Sequence, residues 1–126
     1  MVFEHLAINV DDVSSVVDWY VTHMGLKVVS AQKNAPFMTF LADSSNRVVL
    51  ELYQKPDLQI IDFSKIHQLT FHMAFVSENS QKDRERLEQE GASYVEEVRK
   101  ADGGHLVMMR DPWGMPLQLC ERVSSL

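Results

Sequence analysis

In the first half of the chain, hydrophobic residues recur first at every second position and then at the spacing of a helix. Between residues 2 and 10, apolar side chains share one face of a strand-like segment: Leu6, Ile8 and Val10. The opposite face carries a second set: His5, Ala7 and Asn9. After the capping pair Asp11-Asp12 and before Gly25, apolar residues recur at helical spacing and are expected to form the buried stripe of a helix: Val13, Val16, Val17, Tyr20, Val21 and Met24. This pattern predicts a strand followed by an amphipathic helix.

Three further strand-like runs complete this half, at about residues 26–32, 37–42 and 47–53. The runs are separated by turn-rich clusters that contain Pro36 and Asn46. The first half is therefore predicted to be βαβββ. Residues 54–65 have no sustained period and are interpreted as a linker.

The second half repeats this order. Residues 69–76 alternate, and Ser80 with Asp83 resembles a capping box that begins a polar helix ending before Gly91. Strand-like segments follow near residues 93–98, 105–110 and 115–121. The second half is therefore also predicted to be βαβββ.

The two halves align with a constant offset. His5 and His72 are 67 residues apart, and so are Glu51 and Gln118. A duplicated module is the simplest interpretation. We therefore expect an α+β fold of one domain, 1–126, with module 1 at about 1–54, the linker at about 55–66 and module 2 at about 67–126.

Composition narrows the class of protein. A length of 126 residues with 45% hydrophobic and 24% charged residues is typical of one globular domain. The net charge of −6 makes nucleic acid an unexpected partner. The single cysteine, Cys120, excludes an internal disulfide and a cysteine-based zinc site. With no apolar run of about 18 residues and no signal-like start, we expect a cytoplasmic protein without a membrane partner.

Four polar residues interrupt apolar strands at symmetric positions: His5, Glu51, His72 and Gln118. Period two directs each polar side chain away from its apolar neighbours, so one strand face must hold polar groups. Two imidazoles, a carboxylate and an amide oxygen form a plausible shell for a divalent metal. The alternative is that each side chain is hydrogen-bonded to a neighbour or solvated, or that the site has lost its metal.

Three other side chains are weaker candidates. Glu121 is three residues from Gln118, so it is expected to point to the opposite strand face and lie on the surface. His105 follows two glycines; it is either an acid or base at a cavity mouth or, as we favour, an exposed turn residue. Cys120 shares the face of Gln118 and is interpreted as a buried, inert thiol.

These features resemble the vicinal oxygen chelate superfamily, which includes glyoxalase I, extradiol dioxygenases and bleomycin resistance proteins. The resemblance covers nearly the whole chain. It rests on these segments: His-Leu-Ala-Ile-Asn-Val from His5, Trp19-Tyr20 with Met24-Gly25-Leu26, Val48 to Leu52, His72 to Val76, Asp111-Pro-Trp-Gly and Leu117-Gln-Leu. The motifs are specific for the superfamily and not for its reaction.

The resemblance implies two βαβββ modules whose sheets curl around a central cavity. It places the metal ligands at His5, Glu51, His72 and Gln118, for a divalent ion such as Zn, Ni, Fe or Mn. Gln118 stands where glyoxalase I has a proton-moving glutamate, and an amide cannot act as a base near neutral pH. Glu51 is then the expected catalytic residue by pseudo-symmetry.

The function implied is a glyoxalase-like lyase or isomerase that uses its metal to act on a small oxygenated or thiol-conjugated metabolite. One alternative is a non-catalytic protein of the bleomycin resistance type that binds a small molecule without metal. The other is an iron-dependent dioxygenase. A homodimer is expected, because many superfamily members pair modules between chains.

Overall fold

The computed structural model describes all 126 residues and divides them into two compact units, residues 1–61 and 62–126. Each unit contains four strands and one α-helix in the order βαβββ. The predicted α+β fold of two such modules is confirmed, and each sheet is open rather than closed. The boundary between the units falls inside the predicted linker. Neither helix has the length and apolar character needed to span a bilayer.

The first unit contains one mixed sheet and one helix. Its elements are β1 (Leu6–Asn9), α1 (Val13–Met24), β2 (Lys27–Ala31), β3 (Thr39–Ala42) and β4 (Val48–Tyr53). The strand order is β1-β4-β3-β2, with β1 and β4 parallel and the other pairs antiparallel. The first and last strands of the unit are therefore neighbours at one side of the sheet.

Strand register separates an apolar from a more polar face in this sheet. Leu6 pairs with Leu50, and Leu50 pairs with Leu41, so these three side chains share one face. Leu41 and Leu50 are buried there and form part of the core. The opposite face carries Glu51 and Phe40, which pair with each other. The face assignment predicted for β1 is confirmed by this register.

Helix α1 begins at an aspartate cap and ends at a glycine in the left-handed conformation. The carboxylate of Asp12 accepts hydrogen bonds from the backbone N–H (3.2 Å) and hydroxyl (2.6 Å) of Ser15. Gly25 has a φ of 71°. The buried stripe differs from the predicted one, because Trp19 is buried while Val21 is 37% exposed. The larger aromatic surface of Trp19 gains more from burial.

The second unit repeats the topology. A short 3-10 helix, Phe63–Lys65, lies in the segment interpreted as linker. The other elements are β5 (Met73–Val76), α2 (Ser80–Gln89), β6 (Ser93–Arg99), β7 (His105–Arg110) and β8 (Pro116–Glu121). The strand order is β5-β8-β7-β6, again with the first and last strands parallel.

Strand β5 is shorter than its alternating sequence predicts. It begins at Met73 rather than at residue 69. Its partner β8 begins at Pro116, and the register starts with Met73 opposite Leu117. The preceding residues instead form a turn, in which the backbone N–H of Thr70 donates to His67 O at 2.8 Å. Alternation without a partner strand does not make a strand.

Helix α2 is capped one residue before the predicted start. The Asn79 side chain accepts from the backbone N–H of Lys82 at 2.9 Å. Ser80 is the first residue of the helix itself, and its hydroxyl donates toward His105 O and Glu121 Oε2, each 3.0 Å away. The beginning of the helix is thereby attached to β7 and β8.

We expect Gly114→Ala to destabilise the protein by about 3 kcal/mol. Gly114 has a φ of 87°, and a Cβ there would lie 2.8 Å from Ser64 Cβ and 3.0 Å from the Ser64 backbone. Gly103→Ala is the matched control in the same unit. Gly103 has a φ of 94°, but its added Cβ would lie 3.8 Å from Val123 Cγ2, so only conformational strain of about 1–2 kcal/mol is expected. Urea denaturation measures both changes, and equal losses would contradict the close-contact argument.

Candidate functional site

His5 and Glu51 come together on the more polar face of the first sheet. His5 directly precedes β1, and Glu51 lies in β4 opposite Ala7. His5 Nε2 lies 3.0 Å from Glu51 Oε2, and the two side chains are 24% and 12% exposed. The parallel pairing of β1 with β4 therefore joins two of the residues singled out from the sequence.

The other ring nitrogen of His5 has no hydrogen-bond partner. Nδ1 is buried and lies 2.9 Å from Glu4 Oε2, but that approach is not directed as a hydrogen bond. The contact is therefore at most electrostatic, and the Glu4 side chain is 82% exposed. The Phe40 ring packs edge-on against the imidazole, with ring centroids 5.4 Å apart. The imidazole therefore lies between two carboxylates, with Glu51 at Nε2 and Glu4 at Nδ1.

His72 precedes β5 in the second unit, at the position that corresponds to His5. Its Nδ1 lies 2.8 Å from Gln68 O. A carbonyl can only accept, so Nδ1–H donates and the neutral ring keeps its lone pair on Nε2. This tautomer is the one that a histidine needs to bind a metal through Nε2. No sequence pattern identified Gln68, because the contact depends on the turn before β5.

Gln118 occupies the middle of β8, on the same face as its partners Ala74 and Met108. Its Oε1 accepts a hydrogen bond from Cys120 Sγ at 3.3 Å. Burial raises the pKa of the Cys120 thiol, so the sulfur keeps the proton that it donates. The predicted shared face of Gln118 and Cys120 is confirmed.

The geometry of these donors bears on metal binding. Two ligand atoms that each lie about 2.1 Å from a metal, at angles between 90° and 109°, are about 3.0–3.4 Å apart. The 3.0 Å between His5 Nε2 and Glu51 Oε2 fits this spacing. Within neither unit do three His, Cys, Asp or Glu side chains form a group that could hold a metal ion.

His105 is not the exposed turn residue that we favoured from the sequence. It begins β7, is 3% exposed, and bonds the Glu97 carboxylate through Nε2. The two glycines before it end the turn at residue 104, so His105 enters the sheet paired with Arg99. The carboxylate partner offsets the free-energy cost of burying the imidazole.

Glu121 points away from Gln118, as predicted, but it is not a free surface residue. It is half-buried, and its Oε2 accepts from the backbone N–H of Ser80 at 2.8 Å. This hydrogen bond and the one from the Ser80 hydroxyl hold the pKa of the Glu121 carboxyl below its usual value. Glu121 therefore attaches α2 to β8 and lies outside the candidate site.

The chain matches the family model of the Glyoxalase/Bleomycin resistance protein/Dioxygenase superfamily over residues 2–119. A search of curated proteins found no match. The match spans both units and includes all four candidate residues.

Solved structures with the same fold include a glyoxalase family protein from Enterococcus faecalis, with 22% identity and a TM-score of 0.71 over 95% of this chain and 97% of that one. A possible glyoxalase from Bacillus cereus has 21% identity and a TM-score of 0.68, covering 95% and 98%. TnmS3, an antibiotic binding protein from Streptomyces sp. CB03234, has 16% identity and a TM-score of 0.67, covering 95% and 94%. At these identities the likeness concerns the fold.

We expect Glu97→Gln to reduce the loss of stability on acidification. The hydrogen bond from His105 holds the pKa of the Glu97 carboxyl below its usual value. The carboxylate therefore stabilises the folded state fully above the unfolded pKa of about 4.3, and this contribution is lost as the pH falls through the lowered folded value. Urea denaturation between about pH 6 and pH 3 should show a shallower decline for Glu97→Gln than for the wild type.

Glu78→Gln is the control, because Glu78 is exposed and lies outside the His105 contact. The stability of Glu78→Gln toward urea should fall with decreasing pH as steeply as that of the wild type. If Glu97→Gln also followed the wild type, the hydrogen bond from His105 would not favour the charged carboxylate.

Proposed function

The chain belongs to the glyoxalase/bleomycin resistance protein/dioxygenase superfamily, and we propose that it is a metal-dependent lyase or isomerase of glyoxalase type. Its substrate is a small oxygenated or thiol-conjugated metabolite. The observation that supports this most directly is the 3.0 Å approach of His5 Nε2 to Glu51 Oε2 on the more polar face of the first sheet. Both atoms are good ligands for a divalent metal.

The proposed ligands are His5, Glu51 and His72, with Gln118 as a weak fourth. The hydrogen bond from His72 to Gln68 O supports this assignment, because it fixes the tautomer with a lone pair on Nε2. The position of Glu4 also supports it, since its Oε2 lies 2.9 Å from His5 Nδ1, where a histidine that binds metal through Nε2 commonly has a carboxylate partner. Gln118 is the weakest donor, because its oxygen already accepts from Cys120.

A bound divalent metal would supply Lewis acidity toward two neighbouring substrate oxygens. Glu51 is proposed to move the proton, because it is the one carboxylate among the four residues. Its half-buried side chain lies beside the His5 imidazole, with Glu51 Oε2 3.0 Å from His5 Nε2. Gln118 orients substrate or metal through its amide and takes up no proton.

Glu51→Gln is expected to lower metal affinity by more than about 100-fold, since even the loss of an outer-shell partner costs 10–100-fold. Protein purified without chelators or a nickel column should contain bound metal by elemental analysis, and the variant should contain almost none. Turnover of methylglyoxal with glutathione should be lost in parallel. Glu4→Gln is the matched control: Glu4 also approaches His5, but its exposed side chain is not a proposed ligand.

Equal metal content in Glu51→Gln and the wild type would contradict the proposed ligand set. Bound metal without turnover of methylglyoxal and glutathione would support the proposed ligands and would contradict this choice of substrate. Bound iron with oxygen uptake on a catechol would instead indicate a ring-cleaving dioxygenase.

A metal-free small-molecule-binding protein is the second candidate. It is favoured by the amide at Gln118, whose oxygen is engaged by a thiol, and by the lack of a three-residue metal group within either unit. The antibiotic binding protein TnmS3 has the same fold. This candidate would be supported if the metal-free wild type bound a small molecule and the metal-free Glu51→Gln variant bound it equally well. The homodimer and the cytoplasmic location stay predictions.

A further inference from the structure

A separate cavity lies within the first unit, between α1 and the edge strand β2. Its volume is about 440 Å³, within the range of pockets that bind small organic molecules. Val28 pairs with Leu41 and Ala31 pairs with Thr39, which places the strand side of the cavity on the core face of the sheet. Glu51 lies on the opposite face. The cavity is therefore distinct from the His5–Glu51 site.

The walls of the cavity are largely apolar, and its charged groups are acidic. Five apolar side chains line it: Val13, Val17, Val28, Ala31 and Phe37. Asp12 and Asp18 also line it, and no Lys, Arg or His does. Such a lining favours an occupant that combines an apolar body with a positive charge.

The two aspartates differ in their other contacts. Both oxygens of Asp12 accept hydrogen bonds from Ser15, which lower the pKa of the Asp12 carboxyl. Asp12 therefore contributes a fixed negative charge while it caps α1. Asp18 lies along the exposed side of the helix and is not part of the cap, so it can contact an occupant directly.

The turn that contributes Phe37 to the cavity wall holds this residue in an unusual backbone conformation. Phe37 has a φ of 56°, in the left-handed region that bulky residues rarely adopt. The turn is fixed by its backbone N–H donating to Asn34 O at 2.8 Å and by the hydroxyl of Thr39 donating to its carbonyl at 2.9 Å. Non-glycine residues in such conformations are frequent at ligand clamps. The ring is 38% exposed and available for contact with an occupant.

We propose that the cavity between α1 and β2 is a second binding site, for a small organic cation that carries an aromatic or aliphatic group and a protonated amine. The amine contacts Asp18 and is attracted by the charge of Asp12. The apolar group packs between the valines and the Phe37 ring, and its burial adds to the ionic contact of the amine. This site does not depend on the metal-binding proposal.

Benzylamine is the probe, with benzyl alcohol and benzoate as neutral and anionic analogues. NMR titration of the isotope-labelled full chain should show benzylamine shifting the amides of Val17, Val28 and Phe37. Benzyl alcohol should bind more weakly, and benzoate should not bind. Added salt at about 0.5 M should weaken benzylamine binding, since a partly exposed ionic contact is screened.

Asp18→Asn is expected to weaken benzylamine binding by about fivefold, the upper range for an exposed ion pair. Asp11→Asn is the matched control, because it removes the same charge from a neighbouring exposed residue outside the cavity lining. Equal weakening in the two variants would overturn the proposal, because it would show a general effect of net charge. Absence of shifts at the cavity, or benzoate binding as tightly as benzylamine, would also overturn it.

A filling variant tests the location independently of charge. Ala31→Phe should occupy the cavity and abolish the benzylamine shifts, while Ser30→Phe places the same ring on the opposite face of β2 and should leave them unchanged. Retained binding in Ala31→Phe would overturn the assignment to this cavity. Metal content should be the same in Ala31→Phe as in the wild type, because Ala31 lies on the face opposite Glu51, so failure here is distinguishable from failure of the metal proposal.

Discussion

The parallel pairing of the first and last strands of each unit is the constraint on which the candidate site depends. In the first unit it places Ala7 opposite Glu51, and His5 two residues earlier therefore reaches the same face. Because side chains alternate along a strand, a register slip of one residue would turn Glu51 into the leucine core and expose Leu50. The burial of Leu50 and Leu52 thus fixes the position of the carboxylate between them.

Much of this arrangement could be predicted from the sequence, because a strand that buries one face has hydrophobic residues at every second position. The βαβββ order and the faces of Glu51 and Gln118 follow from that period. The burial of His105 could not be predicted, because it depends on Glu97 from the neighbouring strand. The extent of β5 was also missed, because a strand ends where its partner ends and not where its own alternation ends.

The two modules share a backbone plan but use different polar contacts at corresponding positions. His5 contacts Glu51 directly, whereas His72 is held by a backbone carbonyl in a turn. Gln118 is engaged by a thiol two residues away on its own strand. The two units therefore share the places from which these side chains project, while the polar contacts at those places differ. The 67-residue offset locates these positions but does not determine their partners.

Strand β8 presents Gln118 on one face and Glu121 on the other, and Glu121 is bonded to the first residue of α2. The helix and the amide are thus mechanically connected through a single β-strand, although they lie on opposite sides of the sheet. The carboxylate that anchors the helix and the Gln118 amide are three positions apart on the same strand. A substitution at the Asn79–Ser80 turn would therefore alter the attachment of α2 to β8 without contacting the strand face that carries Gln118.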